Sequence, residues 1–236
     1  MASNAKALHR KRKLTITVGR YRSEMLMCAL IALMLVSPLV DRSPHIGGLL
    51  AFAQLLLLLA GAAYLANRRI VRRVVIPIAA IWLLARVLEA FGDGRQRYTH
   101  LAPLAGLALS CAVLWALLSR FGSVSKVTSS VISEAIISYL LIAIAFSQLY
   151  WVLDHLVANA FSQIIPLGQS GTFLYFSMIT LSGLGYGSIL PINAYVRLVA
   201  AFENMIGIFY LAVVVSRLVS SYRARAHHTT ERANAI

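Results

Sequence analysis

Six long apolar runs punctuate this sequence, at residues 25–40, 46–66, 74–91, 101–118, 131–156 and 194–219, and the connections between them hold most of its charge. Runs that stay apolar around their whole circumference predict helices that meet lipid or other helices on every side. A bilayer crossing takes about 20 such residues, so the last two and longest runs cross outright, and the first four complete the crossing with interfacial residues at their ends. A further apolar stretch lies between the fifth and sixth runs, within residues 157–193, and is too short to cross. The pattern predicts an all-α integral membrane protein with six transmembrane helices and a re-entrant segment between helices five and six.

Composition narrows this further. Of 236 residues 59% are hydrophobic and only 13% charged, about half the roughly 25% charged residues of soluble domains. With a mean hydropathy of +0.76, a water-soluble globular domain is excluded. The charge is one-sided, 22 Lys and Arg against 8 Asp and Glu, for a net +14. These cations flank apolar segments instead of forming a patch interleaved with aromatics, so no nucleic acid is expected as a partner.

Counting Lys and Arg in the connections gives the topology, because cytoplasmic loops retain positive charge. Seventeen lie before the first run, in residues 67–73, in residues 119–130 and from Arg217 onward; only Arg42, Arg95, Arg97 and Arg197 lie on the opposite side. Both termini are therefore placed in the cytoplasm of a multi-pass protein. No small-residue cleavage pattern follows the first run, so that run is read as an uncleaved span.

The expected organisation is a basic cytoplasmic N-terminus (1–24), a peripheral four-helix bundle (25–118), a cytoplasmic linker (119–130), a final module (131–219) and a short cytoplasmic tail (220–236). Lys6, Arg10, Lys11, Arg12 and Lys13 in the N-terminus suit contact with anionic membrane lipid. Tyr98, Tyr150, Trp151 and Tyr195 stand near run ends, where interfacial anchors belong. Cys28 and Cys111 sit inside apolar runs and are expected only to pack. No cluster of His, Cys and carboxylates and no nucleophile motif is present, so neither an enzyme nor a resident cofactor is expected. Arg86 and Glu89, three positions apart within the third run, share a helix face and are expected to pair, as a packing element or as a sensor.

The chemistry concentrates between the last two runs. Residues 171–181 make a helix of about 16 Å at 1.5 Å per residue, with Ser170 or Thr172 as its N-cap. Entering from the outer side, it reaches about halfway across, with its negative dipole end near the membrane centre, which favours a cation. Directly afterwards the chain reads Ser182-Gly183-Leu184-Gly185-Tyr186-Gly187-Ser188-Ile189-Leu190-Pro191. Alternating glycines permit positive φ and let successive carbonyls face one axis. Non-helical backbone at this depth must be buried in protein or line a watery path.

These residues resemble the pore module of potassium channels, especially bacterial ion channels whose filter reads Thr-Val-Gly-Tyr-Gly after a short pore helix. The resemblance runs over residues 131–219: residues 175–181 match the pore helix, Gly185-Tyr186-Gly187 the filter, Ile189-Leu190-Pro191 the exit strand, and Glu203, Gly207 and residues 209–219 the last helix. It implies potassium as the permeant ion, held by the backbone carbonyls of Gly183, Leu184, Gly185 and Tyr186. Ser182 and Gly187 bound this filter, with Thr180 and Ser188 as its support. Because one chain supplies one loop, it implies a homotetramer in the plasma (inner) membrane, passing ions through a central pore. Gly207 is a gating hinge or a close-packing position. The fourth run carries no Lys or Arg, so strong voltage gating is not expected.

Two positions depart from the family pattern. Gly183 stands where the filter's first Thr contributes a hydroxyl, and Ser188 stands where an Asp usually braces the filter from behind. A weakly selective monovalent cation channel is therefore the alternative expectation. A transporter subunit with a broken-helix site would require inverted repeats, and none is visible.

Overall fold

The computed structural model describes residues 24–36, 71–91, 101–121, 129–163 and 170–234. They are helical almost throughout: α1 (Glu24–Val36), a π-helical turn (Val71–Val75) leading into α2 (Ile76–Phe91), α3 (Leu101–Phe121), α4 (Ser129–Leu156), α5 (Ser170–Leu181) and α6 (Ala194–Asn234). Pro103 falls in the first turn of α3, where a missing N–H costs nothing, whereas Pro77 follows directly on the π-helical turn. Asn193 caps α6, its side-chain oxygen accepting from the Tyr195 N–H at 2.9 Å. Among the described residues the only strand-like pairing is an antiparallel bridge between Phe161 and Pro191.

Two of these helices are long and apolar enough to cross a membrane, over Val131–Leu156 and Ala194–Val214; α1, α2, α3 and α5 contribute shorter apolar segments. The second predicted run (46–66) and the basic cluster at residues 6–13 lie outside the described residues. So do the side chains of Arg86 and Glu89, although the α2 backbone carries both as helix.

Two boundaries and the two cysteines differ from expectation. The linker contracts to the residues between Phe121 and Ser129. The tail is not a separate piece, because α6 runs on past the end of its apolar run to Asn234. Cys28 and Cys111 are free and exposed rather than packed in the core.

Two apolar clusters hold the helices together. In the first, Leu30 and Met34 of α1, Ala79 and Trp82 of α2, and Leu109, Val113 and Leu117 of α3 pack on Leu141 and Ile142 of α4. The second gathers Tyr150, Phe161, Phe173 and Phe176, with Val196 and Ala200 of α6. Phe176 stands edge-on to Tyr150 at 4.8 Å and to Phe161 at 5.2 Å between ring centres. Each such pair contributes about 0.5–1.5 kcal/mol beyond its buried area. Tyr150 and Trp151 are therefore core residues, not interfacial anchors; Tyr195, strongly exposed, sits as an anchor would, and Tyr98 lies outside the described residues. The reason for Tyr150 lies in its hydroxyl, which finds a partner in the last helix.

Candidate functional site

The site is built on α5, which packs against both α4 and α6. Its C-terminal end is closed by backbone geometry. Gly183 has φ +74°, its N–H donates to Thr180 O at 3.1 Å, and the Leu184 N–H donates to Ile179 O at 2.9 Å. That paired arrangement is a Schellman cap with Gly183 at its left-handed position. Gly183 thus has a local reason to be glycine: a side chain there would adopt a strained backbone and bring its Cβ to 3.2 Å from Asn204 Nδ2.

The last carbonyls of α5 are all engaged. Met178 O accepts from Ser182 Oγ at 2.7 Å and from the Ser182 N–H at 3.1 Å. Thr180 O also accepts from Asn204 Nδ2 of α6 at 2.9 Å, and Leu181 O accepts from the Tyr139 hydroxyl of α4 at 3.2 Å. With these oxygens already hydrogen-bonded, what the end of α5 presents to its surroundings is the negative end of the helix dipole.

Beyond the cap, Gly185 and Gly187 have φ of +55° and +78°, whereas the only positive φ outside glycine among the described residues is at Asn159. Left-handed and ordinary conformations therefore alternate over residues 183–187. Every residue from 182 to 188 is exposed in the single chain, including the large apolar side chains of Leu184 and Tyr186.

The segment leaving this loop is braced by the residues after α4. The Ser162 N–H donates to Leu190 O at 2.8 Å, the Leu190 N–H donates back to Ser162 Oγ at 3.1 Å, and the Ile192 N–H donates to Ala160 O at 2.9 Å. Gln163 Nε2 donates to Ser188 O at 3.1 Å, and Ser188 Oγ donates to the Tyr175 hydroxyl at 3.3 Å. Ser188 thus ties the loop to its own helix through a hydroxyl pair.

The inner side of α6 carries Val196, Ala200, Glu203 and Gly207, one buried stripe at spacings of four, three and four. At Gly207 an added Cβ would lie 1.9 Å from Leu181 O, so the α6 backbone rests directly on the end of α5. Glu203 is fully buried; its Oε2 accepts from the Tyr150 hydroxyl at 2.6 Å, and its Oε1 contacts Ser177 Oγ. Most other positions in the apolar part of α6 face outward: only 17% of its 18-residue apolar window within Ala194–Val214 is buried, against 61% of the corresponding window within Val131–Leu156.

The structure therefore brings Thr180, Ser182, Gly183 and Gly207 together at one helix end, with Gly185, Tyr186, Gly187 and Ser188 following on the exposed loop. Sequence reasoning missed the donors that hold this end, Tyr139 and Asn204, the bracing by Ser162 and Gln163, and the partnership of Tyr150, Ser177 and Glu203. A lone carboxylate in an apolar run was the available sign of the last.

Residues 134–224 match a family model described as "Ion channel". The match takes in nearly all of α4, the whole of α5 and the glycine loop, and α6 as far as residue 224, and it supports an ion-channel function for this membrane chain. No curated protein matches the chain.

Proposed function

We propose that this chain is one subunit of a homotetrameric, passive potassium-selective channel of the plasma membrane, with residues 183–187 as its filter and both termini in the cytoplasm. The observation that carries the reading is the alternation of positive φ at Gly183, Gly185 and Gly187, on a loop exposed at the end of a helix long enough to reach only partway across a bilayer. At about 1.5 Å per residue the 12 residues of Ser170–Leu181 fall well short of crossing.

Four copies supply what one chain lacks. Four loops surround an axis with carbonyl rings of Gly183, Leu184, Gly185 and Tyr186 that replace the hydration shell of the ion. They also cover apolar surface that a single chain leaves open at Leu184, Tyr186, Phe202 and Phe209. With no Lys or Arg in residues 101–118, strong voltage dependence is not part of the proposal. A second reading, a weakly selective monovalent cation channel, is favoured by Gly183, which offers no side-chain hydroxyl, and by Ser188, whose hydroxyl makes only a 3.3 Å contact with Tyr175.

The reversal potential of the purified protein in planar bilayers under a KCl/NaCl gradient separates the two. A value near the potassium Nernst potential, with current abolished in Tyr186→Ala, is the expected result. A mutation-sensitive current that reverses near zero supports the weakly selective channel, and flux that persists in Tyr186→Ala removes the loop from the ion path.

A further inference from the structure

Three close oxygen contacts converge on two hydroxyl groups in the interior of the module. Tyr150 Oη lies 2.6 Å from Glu203 Oε2, Ser177 Oγ contacts Glu203 Oε1, and the same Ser177 Oγ lies 2.8 Å from Ala143 O. Each hydroxyl carries one proton, and a backbone carbonyl can only accept. Three contacts need three protons, and the hydroxyls supply two. With Glu203 ionised, one contact would set lone pair against lone pair at hydrogen-bond distance. Glu203 is also fully buried within a span, where an unpaired charge is costly. Its side-chain hydrogen-bond partners among the described residues are two hydroxyls and no cation.

We propose that Glu203 is carried as a neutral carboxylic acid, accepting from Tyr150 at Oε2 and donating from Oε1 to Ser177, which in turn donates to Ala143 O. In this role Glu203 is a positioning residue that ties α5 to α4 and α6; the functional half of the claim rests on the channel reading above. The register supports it. Ser177 and Leu181 are four residues apart on α5, as are their partners Glu203 and Gly207 on α6, so the two helices meet at matching turns. The acid fixes the middle of α5, and the Gly207 contact fixes its end, immediately before the filter.

The test uses the full-length protein in liposomes. Glu203→Gln presents the same pattern as the neutral acid, an oxygen accepting from Tyr150 and an N–H donating to Ser177. It is expected to keep the tetramer and to hold potassium flux within about two-fold of wild type, whereas Glu203→Ala loses about ten-fold or more by stranding buried hydroxyls. Infrared difference spectra between wild type and Glu203→Gln are expected to show the carbonyl stretch of a protonated carboxyl group, present only in wild type. A Glu203→Gln tetramer as impaired as Glu203→Ala, or a wild type without that band, overturns the proposal. A wild type that carries no potassium flux instead defeats the channel reading, and the infrared band then decides the state of Glu203 by itself.

Discussion

Gly207→Ala is expected to destabilise the assembled protein, not merely to alter its gating. The added Cβ would lie 1.9 Å from Leu181 O and 2.9 Å from Leu181 C, and both are backbone atoms that no rotamer change can move aside. Relief requires α6 to withdraw from the end of α5, which also pulls Asn204 from Thr180 O and loosens the cap that launches the proposed filter. Overpacking of this kind costs about 1–3 kcal/mol, incurred in every copy of the proposed tetramer. The thermal midpoint of the detergent-solubilised oligomer, followed by size-exclusion chromatography, is expected to fall clearly, with conduction lost alongside it. A pure hinge makes the opposite prediction: an oligomer as stable as wild type whose open time alone has changed. The close approach to Leu181 favours packing, because a glycine wedged against a neighbouring carbonyl is defined by contact and not by freedom to bend.

Much of this arrangement was legible in the residues, for physical reasons that differ from one element to another. Apolar runs reveal spanning helices because lipid asks only for length and hydrophobicity, so α4 and the start of α6 fall where expected. Gly183 after residues 171–181 is readable as a helix end, since glycine at that position is the commonest way to satisfy the last carbonyls. Which side of α6 faces the protein was hidden, because nearly all its sides are apolar and periodicity has no polar face to report. The stripe of Val196, Ala200, Glu203 and Gly207 becomes visible only through what it touches. Tyr150 misled for a related reason. A tyrosine near the end of an apolar run suits an interface, and its true partner, Glu203, is 53 positions later in the chain. The continuation of α6 to Asn234 was hidden because its last turns are polar and offer no apolar face to recognise.

The same change, glycine to alanine, is expected to act in the opposite way at Gly185. An added Cβ there meets nothing within 4 Å in the single chain, so there is room for it; what resists is the backbone, held at φ +55°. An alanine either keeps that conformation at about 1–2 kcal/mol or rotates to negative φ and swings a neighbouring peptide carbonyl off the axis. Neither course disturbs the helix contacts at Glu203, Asn204 or Gly207, so Gly185→Ala is expected to elute as an intact oligomer with a thermal midpoint close to wild type. Conduction suffers regardless. A carbonyl ring turned away no longer replaces the water stripped from the ion, and a barrier raised by about 2.7 kcal/mol already slows passage about a hundred-fold. Potassium uptake into liposomes is therefore expected to drop by about two orders of magnitude with assembly preserved. Uptake at the wild-type rate would mean that ions do not pass this loop, and loss of the oligomer would mean that Gly185 serves assembly. The two glycines thus separate the scaffold from the proposed filter: Gly207 lacks space and is not among the positive-φ residues, whereas Gly185 has space and a left-handed backbone.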